Sequence, residues 1–583
     1  MEKQKLDSLR HSCAHLLAHA VKQLFPGALN AIGPAIENGF YQDFDMDTWN
    51  ISEADFSKIE AKMREILPKW QKFSFKEVSL EEAKKLFKDN KYKVEMAEEF
   101  AKQGKKLQTN NPGDFLDLCK MDHVDNPAKE LKHFKLLSVA GAYWKGNEKN
   151  KMLTRIYGTV WPSRKELDDH LQRLEEAKKR DHRKLGKDLD LFVFSDLVGK
   201  GLPLLSPKGA TLKRVLERFI VDEEIKRDYL HVSTPPIAKV DLYRTSGHFP
   251  YYKETMYPPM VVDDEELILR PMTCPHHFAL FKSRPRSYHE MPVRFAEISP
   301  QFRYEKSGEL TGLIRIRTFL LSDAHIITPK TSAEKEIKKV LELIAFINKA
   351  FGLKAGDDYR FRLSLGDRKD TKKYYKDDKM WDYAENILRK VLKNQDVPYY
   401  EAENEAAFYG PKIDVQMKNV NGKEDTAFTV QYDFVMPKRF KLRFINKEGQ
   451  EEEPVVIHRA SLGAFERTMA FLIEHYAGAF PLWLSPIQLR ILPISDKFQD
   501  YSLKVKKNLD QAGYRTELDN DNKTLGAKIR EATLQKIPYL IIIGEKEVKT
   551  EKIAIRTREG KDLGTITISN FITKLKDQIE KFL

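Results

Sequence analysis

The hydrophobic pattern of this chain changes after Pro481. From there to the C-terminus, strand patterns alternate with helical ones, which is typical of a small α/β domain. Strands are predicted at residues 487–495, 514–519, 539–544, 552–558 and 565–568, and helices at 497–512, 525–536 and 569–583. Because a chain of 583 residues corresponds to about three to five domains, we expect further domains before Pro481.

A second boundary is marked by a helix with a narrow apolar face. Ser163 and Glu166 have the spacing of a capping box at its N-terminus. A thin stripe of leucines and Ala177 interrupts an otherwise charged surface, which is typical of a connector between domains. The basic run at 178–184 is either a solvated surface or a contact for a nucleic-acid backbone. The chain therefore divides into segments 1–162, 163–187, 188–480 and 481–583.

The charge balance and the cysteines limit the class of protein. The net charge of +13 indicates a polyanionic partner or simply a basic soluble protein. Three cysteines, Cys13, Cys119 and Cys274, provide no disulfide framework and favour a reducing compartment. The longest apolar run, Tyr539–Ile543, is far shorter than the roughly 20 residues that cross a bilayer, and the N-terminus lacks the pattern of a signal peptide. We therefore expect a cytoplasmic protein without a membrane partner.

The first helix, predicted from residue 7 or 8 to residue 25, carries three histidines on one side. His11, His15 and His19 lie away from the apolar stripe that contains Cys13. They are therefore not expected in the core, whereas Cys13 is expected to be structural. His11 and His15 are four residues apart and converge on one point, and Cys119 and His123 repeat this spacing. The four side chains form either a zinc site or a His/Cys general acid–base cluster.

The segment 294–325 is rich in arginine and contains a predicted hairpin with its turn at Ser307–Gly308. Guanidinium groups on one face of a strand suit a phosphate substrate, and an aromatic ring beside them suits a purine base. A salt-bridged strand in an ordinary sheet is the alternative. The residues concerned are Arg303 and Glu305 before the turn, and Arg315, Arg317 and Phe319, which alternate on the predicted return strand.

Together these segments resemble the threonyl-tRNA synthetase family of class II aminoacyl-tRNA synthetases, over essentially the whole chain. Val232–Pro235 resembles the first class motif, Phe302–Glu305 with the hairpin the second, and Gly463–Arg467 the third. The resemblance implies an α+β multidomain fold and a homodimer, whose interface contains the proline of the first motif. The implied domains are an α/β editing domain (1–162), a connector helix (163–187), a catalytic domain with an antiparallel sheet (188–480) and an α/β anticodon-binding domain (481–583).

The resemblance implies that threonine, ATP with Mg²⁺, and tRNA(Thr) react in the central domain. Arg303 would contact the α-phosphate of ATP, Arg467 the γ-phosphate, and Phe319 would stack on adenine. The implied ATP-binding residues are Arg303, Glu305, Arg315, Phe319, Gln431 and Arg467, and the implied catalytic residues are Arg303, Arg467, Asp323, Lys412 and Tyr409.

Cys274, His325 and His458 are far apart in the sequence, and spacing alone does not connect them. They match the three zinc ligands of this family, which implies one Zn²⁺ per subunit with an open coordination position. A site that must bind the threonine hydroxyl rejects the nearly isosteric valine, which a hydrophobic pocket separates poorly. Asp323 would accept the hydroxyl proton.

Serine keeps the hydroxyl and lacks only a methyl group, so binding discriminates about 10–200-fold and a second, hydrolytic site is needed. By resemblance, His11, His15, Cys119 and His123 form this editing site, with the core segments 141–144 and 155–158, and hydrolyse Ser-tRNA(Thr) through water without a metal. In the C-terminal domain, Asn522, Glu547 and Arg556 match positions that contact anticodon bases. Exposed Arg and Asn side chains suit the reading of base edges in a single-stranded RNA loop.

Three departures from the family pattern are visible. We expect the small N-terminal ubiquitin-like domain to be missing, because His11 comes so early in the sequence. Leu321 replaces a glutamine near the amino acid, and Lys120–Asp122 replaces a glycine-containing segment beside the editing residues. The alternatives are a paralogue that only deacylates or binds tRNA, a zinc-stabilised RNA-binding protein, and a ligase for proline or serine. The intact motif arginines and the three-ligand zinc set argue against all three.

Overall fold

The computed structural model describes residues 3–46, 48–119 and 122–582, so Lys120 and Met121 of the departure beside the editing residues lie outside the described part. The chain forms two compact units, Met1–Glu175 and Glu176–Leu583. Their boundary falls inside a helix, Arg164–Arg180, in the segment predicted as the connector. Within the described residues, every helix is too short or too polar to cross a membrane.

The first unit contains two antiparallel sheets and one long helix. Its helices are α1 (Lys3–Leu24), α2 (Phe56–Ile66), α3 (Leu80–Leu86), α4 (Lys91–Lys102) and α5 (Pro127–Glu130), followed by α6 (Arg164–Arg180) at the boundary. Its strands are β1 (Leu29–Asn30), β2 (Ala35–Ile36), β3 (Gly39–Asp45), β4 (Ser74–Val78), β5 (Leu107–Asn111), β6 (Asp117–Leu118), β7 (His133–Tyr143) and β8 (Met152–Trp161). The sheets have the orders β1-β3-β8-β7, with β2 paired to β3, and β4-β5-β6.

Helix α1 is covered on both sides, and this corrects the prediction for its histidines. Cys13 is fully buried in the core with Phe40 and Phe44 of β3, as expected for a structural residue. The opposite side is also covered: the ring of His19 stacks on Trp70 and Phe115. His11, His15 and His19 are therefore buried, because aromatic residues distant in sequence cover the polar side. The helix also begins at Lys3, before the predicted caps Asp7 and Ser8, since Ser8 bonds back to Gln4 within it.

The larger part of the second unit is built on an eight-stranded sheet. Its helices are α7 (His182–Asp188), α8 (Pro207–Ile225), α9 (Val240–Ser246), α10 (His248–Tyr251), α11 (Cys274–Lys282), α12 (Ala333–Ala350), α13 (Asp378–Lys393), α14 (Met436–Phe440) and α15 (Phe465–His475). Its strands are β9 (Phe192–Val193), β10 (Leu204–Leu205), β11 (Leu230–His231), β12 (Ile237–Lys239), β13 (Met260–Val262), β14 (Glu265–Leu269), β15 (Val293–Phe302), β16 (Thr318–Thr328), β17 (Tyr359–Ser364), β18 (Tyr399–Ala402), β19 (Lys412–Lys418), β20 (Glu424–Asp433), β21 (Phe444–Ile445), β22 (Glu451–Glu452) and β23 (Val455–Ala460).

The order of the sheet is β11-β15-β16-β23-β20-β19-β17-β18. Only the pairs β11–β15 and β17–β18, at its two edges, are parallel, so the main sheet is antiparallel as the resemblance implies. Strand β23 lies near its middle and all six of its residues are buried. One face packs on the amphipathic helix α12, whose Val340, Ile344 and Ile347 are fully buried. This packing fixes the middle strands, so the side chains on the opposite face of the sheet are held in defined positions.

The C-terminal part has the α/β fold predicted from its pattern. Its elements are β24 (Leu489–Pro493), α16 (Gln499–Gln511), β25 (Thr516–Leu518), α17 (Leu525–Leu534), β26 (Tyr539–Ile543), α18 (Glu545–Thr550), β27 (Ile553–Thr557), β28 (Asp562–Ile566) and α19 (Ile568–Glu580). The sheet order is β25-β24-β26-β27-β28. Helix α18 was not predicted, because six residues are too few to show helical periodicity. The last strand begins three residues earlier than predicted.

Candidate active sites

A cavity of about 610 Å³ opens above the middle strands of the eight-stranded sheet. Most side chains that line it come from β15, β16, β19, β20, β23, α11 and α15, from the loop between β15 and β16, and from the loop between β18 and β19. All twelve residues that the sequence assigned to catalysis, ATP and zinc in this domain are among them: Cys274, Arg303, Glu305, Arg315, Phe319, Asp323, His325, Tyr409, Lys412, Gln431, His458 and Arg467.

Three nitrogen and sulfur donors meet at one end of this cavity. His325 on β16 is paired with His458 on β23, and Cys274 is the first residue of α11. One potential ligand atom of each residue lies within 4.8 Å of the others. Burial raises the pKa of the Cys274 thiol and lowers that of His325, so His325 is neutral, as a metal ligand must be.

Each histidine of this group has one ring nitrogen engaged by a residue that the sequence analysis missed. Nε2 of His458 lies 2.8 Å from Oδ2 of Asp433, and Nδ1 of His325 lies 2.8 Å from Nδ1 of His277. The second nitrogen of each ring remains for a metal. One thiol and two oriented imidazoles fit the donor preference of zinc, and three protein ligands leave a position for substrate.

The other end of the cavity contains two arginines from different motifs. Nε of Arg303 has no hydrogen-bond partner among the described residues, and its guanidinium lies 5.2 Å from the ring centre of Phe319. Arg467 on α15 donates to the carbonyl of Ile314 at 3.2 Å. Burial lowers the pKa of Arg303, and the charge of Arg467 lowers it further. Two arginines that line one cavity and have no carboxylate partner among the described residues indicate an anionic ligand.

The predicted hairpin forms, because β15 and β16 pair antiparallel, but the prediction that Arg315 and Arg317 share a face of its return strand is wrong, because that strand begins at Thr318. The ladder between β15 and β16 ends at Phe302 and Thr318, and residues 307–309 form a 3-10 turn. Arg315 folds back to Glu305, with Nε 2.8 Å from Oε2, and still reaches the cavity. Arg317 instead covers the ring of Tyr304 at 5.4 Å. The segment leaves the sheet because Thr311 and Arg315 bond to each other across a local bridge.

The remaining predicted residues lie between the two ends of the cavity and form hydrogen bonds with neighbouring polar side chains. The hydroxyl of Tyr409 donates to Gln431 at 2.6 Å, and Nζ of Lys412 donates to Asp414 at 2.5 Å. Burial raises the pKa of Asp323, to which the amide of Gln301 donates at 3.3 Å. Leu321, the departure from the family pattern, also lines the cavity.

A second cluster lies in the first unit. Nε2 of His11 is 2.9 Å from Sγ of Cys119 and 3.2 Å from Nε2 of His15. Nε2 of His123 is 3.5 Å from the same sulfur. All four predicted editing residues are thus in contact, and three of them, without His123, line a cavity of about 240 Å³.

The second cluster is strongly polarised by two further residues that sequence reasoning missed. Asp117 lies 3.1 Å from Nδ1 of His15 and 2.7 Å from Nζ of Lys93. Burial opposes a charge on His15, but hydrogen bonds with Asp117 and Cys119 raise its pKa to about 9. Burial likewise opposes ionisation of Cys119, but hydrogen bonds from His11, His123 and His15 lower its pKa to about 3. The cluster therefore holds a thiolate beside an imidazolium at neutral pH.

The three predicted anticodon residues lie on separate elements of the C-terminal part. Asn522 is exposed between β25 and α17, and Arg556 is half-buried on β27. Glu547 on α18 is buried, and its Oε2 accepts the backbone N–H of Gly544 at 3.0 Å. Glu547 therefore also caps its own helix, which sequence reasoning did not anticipate.

Models of known protein families match parts of both units. Residues 259–476 match the tRNA synthetase class II core domain (G, H, P, S and T), residues 488–578 an anticodon binding domain, and residues 110–157 the threonyl and alanyl tRNA synthetase second additional domain. The threonine–tRNA ligases of Geobacillus sp. (strain WCH70) and Staphylococcus aureus (strain JH9) are each 47% identical, over 99% of this chain and 89% of theirs. The solved RNA binding domain of threonyl-tRNA synthetase from Cryptosporidium parvum is 35% identical, with a TM-score of 0.65 over 68% of this chain and 98% of that one.

Proposed function

Because this chain belongs to the threonine–tRNA ligase family, we propose that its large cavity activates threonine with ATP and transfers it to tRNA(Thr), and that its second cluster hydrolyses Ser-tRNA(Thr). The supporting observation is that one cavity contains three zinc-type donors and two arginines that have no carboxylate partner in the part of the chain that the structure describes. That combination suits an amino acid at one end and a triphosphate at the other.

In the first step, the threonine carboxylate attacks the α-phosphorus of ATP, the bond to the β-phosphate breaks, and pyrophosphate leaves. Arg303 neutralises the charge that develops on the α-phosphate, and Arg467 holds the γ-phosphate. Mg²⁺ bound with ATP would add to this neutralisation. In the second step, a hydroxyl of the terminal adenosine of tRNA attacks the threonyl carbonyl and AMP leaves. Positioning and charge stabilisation supply the catalysis.

We assign one zinc ion per subunit to Cys274, His325 and His458. Zinc would supply a Lewis-acid position for the amino and hydroxyl groups of threonine, so that valine, without a hydroxyl, leaves the site unsatisfied. Asp323, whose Oδ1 lies 3.8 Å from Nε2 of His325, is placed to accept the proton of the substrate hydroxyl. Its burial strengthens this preference, because a raised pKa makes the carboxylate a better proton acceptor.

For the editing cluster we propose hydrolysis by water without a metal. The donors already satisfy one another: His15 is held by Asp117, and the Cys119 sulfur lies beside His11. His11 is fixed in the cluster, with Nδ1 2.9 Å from the carbonyl of Gly33 and Nε2 beside Cys119 and His15, and the cluster as a whole would polarise the attacking water molecule. The ester bond between serine and the adenosine would then be cleaved by general acid–base chemistry.

The assembly, the anticodon contacts and the location are also proposals. Leu230, two residues before the first class motif, and Pro235 within it are exposed, and the second unit also exposes Phe194 and Leu197; these apolar side chains support a homodimer interface. Asn522, Glu547 and Arg556 would contact the anticodon loop. A cytoplasmic location is supported by the three cysteines, none of which forms a disulfide within the described residues.

The deciding experiment is amino-acid-dependent exchange of labelled pyrophosphate into ATP, with threonine, serine, valine and proline. We expect a strong threonine signal, a weaker serine signal and a negligible valine signal, and loss of all of them in Cys274→Ala. Cys13→Ala is the matched control, because Cys13 is buried in the other unit. No exchange with any amino acid by folded, zinc-loaded protein refutes the proposed ligase site, and equal exchange with proline refutes its specificity.

A further inference from the structure

Three buried side chains form a hydrogen-bonded row behind the proposed zinc site. Nδ1 of His325 lies 2.8 Å from Nδ1 of His277 on α11. Nε2 of His277 lies 3.3 Å from Oε2 of Glu297 on β15. His277 and His325 are almost completely buried, and Glu297 is 5% exposed. Water is therefore excluded from the row, and its protons must be shared among these three side chains.

Only one placement of the protons leaves His325 able to bind a metal. Glu297 can only accept, so Nε2 of His277 carries a proton. Nδ1 of a neutral His277 is then an acceptor, and Nδ1 of His325 must donate to it. Nε2 of His325 consequently keeps its lone pair and faces the cavity. The reverse placement would put the proton of His325 on Nε2 and block coordination.

The carboxylate of Glu297, which fixes this placement of the protons, is itself held by Arg270 and by Thr234 of the first class motif. Nη2 of Arg270 donates to Oε1 of Glu297 at 2.9 Å, and the hydroxyl of Thr234 donates to Oε2 at 2.7 Å. Arg270 also donates to Oγ1 of Thr234 at 2.7 Å. Burial opposes ionisation of Glu297, but these contacts and His277 lower its pKa to about 2. The carboxylate is therefore ionised and fixed.

We propose that His277 and Glu297 are positioning residues for the metal: they fix the tautomer and the ring orientation of His325, and through Thr234 they tie the zinc site to the first class motif. This inference rests on the proposed zinc site and extends it to residues that touch neither metal nor substrate. Partners of this kind typically change metal affinity by about 10–100-fold when they are removed.

The test measures zinc affinity by competition with a chromophoric chelator, together with the visible absorption of the Co²⁺-substituted protein. His277→Asn keeps an amide oxygen near Nδ1 but loses the link to Glu297, and Glu297→Gln keeps the shape but removes the charge. We expect each to weaken zinc binding about 10–100-fold, to shift the Co²⁺ spectrum and to raise KM for threonine but not for ATP. The double variant should bind zinc no more weakly than the weaker single variant.

The matched control is Glu336→Gln. Glu336 is a buried carboxylate paired with Arg294, which lies on the same strand as Glu297, β15. Zinc affinity of this variant should stay within about twofold of the wild type. Unchanged zinc affinity in the two test variants, or strictly additive losses of zinc affinity in the double variant, refutes the proposal that His277 and Glu297 together position His325. If Glu297→Gln fails to fold, His277→Asn decides alone, because it leaves the Arg270–Glu297 pair intact. Failure of the wild-type protein to bind one zinc per chain would refute the zinc site itself and is distinguishable from both.

Discussion

Nε2 of His182, the first residue of α7, accepts the backbone N–H of Leu313 at 3.1 Å. Nδ1 of the same ring lies 2.7 Å from Oε1 of Glu474 on α15. Neighbouring Gly312 has a φ of 45°, and a Cβ atom there would meet Nε2 of His182 at 2.0 Å. One buried imidazole thus connects α7, helix α15 of the third motif, and the loop between β15 and β16 that follows the second motif.

We expect His182→Phe to raise KM for ATP about 2–10-fold, because a lost hydrogen bond costs about 0.5–1.5 kcal/mol and 1.36 kcal/mol corresponds to tenfold. The loop that it releases carries Arg315 and Ile314, whose carbonyl accepts from Arg467. Pyrophosphate exchange at varied ATP measures the effect, and KM for threonine should not change. His475→Phe, on the same helix α15, is the control. A folded His182→Phe protein with unchanged KM for ATP would contradict the prediction.

Cys119 should react with iodoacetamide at a rate that is nearly constant between pH 5 and 8. A thiol whose pKa has been lowered to about 3 is already ionised throughout this range, whereas the reactive fraction of an ordinary thiol changes about tenfold per pH unit below its pKa. Labelling is followed by mass spectrometry of the Cys119 peptide. Cys274, whose pKa is raised by burial, is the internal control and should stay unlabelled. A steep rise of Cys119 labelling with pH would show that no thiolate is stabilised.

Cys119→Ala should separate editing from activation. Deacylation of Ser-tRNA(Thr) should fall about 100-fold or more, as expected when a general acid–base group is disabled. Threonine-dependent pyrophosphate exchange should stay unchanged, because the residues of the large cavity all belong to Glu176–Leu583. Cys13→Ala is the control for loss of a buried thiol. Deacylation at the wild-type rate would remove the cluster from the mechanism.

Leu197→Asp should convert a dimer into a monomer. The side chain of Leu197 is 99% exposed in the single chain, and burying it against a second copy would stabilise the dimer by about 1.5–3 kcal/mol per side chain. Light scattering should give a mass of two 67.9 kDa chains for the wild type and of one for the variant. Leu534→Asp, an exposed leucine of the C-terminal part, serves as control. A wild-type mass near one chain would overturn the dimer.

Local patterns in the sequence predicted what depends on neighbours along the chain. The alternation after Pro481 gave the α/β fold of the C-terminal part, and the i,i+4 spacing of His11 and His15 correctly predicted that their rings meet. All twelve residues that the resemblance assigned to catalysis, ATP and zinc line the large cavity. Where the pattern is short or the chain leaves the sheet, as in α18 and at Arg315, local reasoning failed because no repeating hydrogen-bond period exists there.

Only the tertiary structure decided which residues cooperate across long separations. His325 faces His458 because β16 pairs with β23 in one register, and neither spacing nor composition contains that register. His277, Asp433, Asp117 and Lys93 were missed for the same reason: each is unremarkable in its own segment and acquires its role from a partner on another element. The sequence by itself determined the family and the domain types, and it predicted the reacting groups. The folded chain decided their protonation and orientation, because those follow from burial and from hydrogen bonds that exist only once distant strands and helices are in contact.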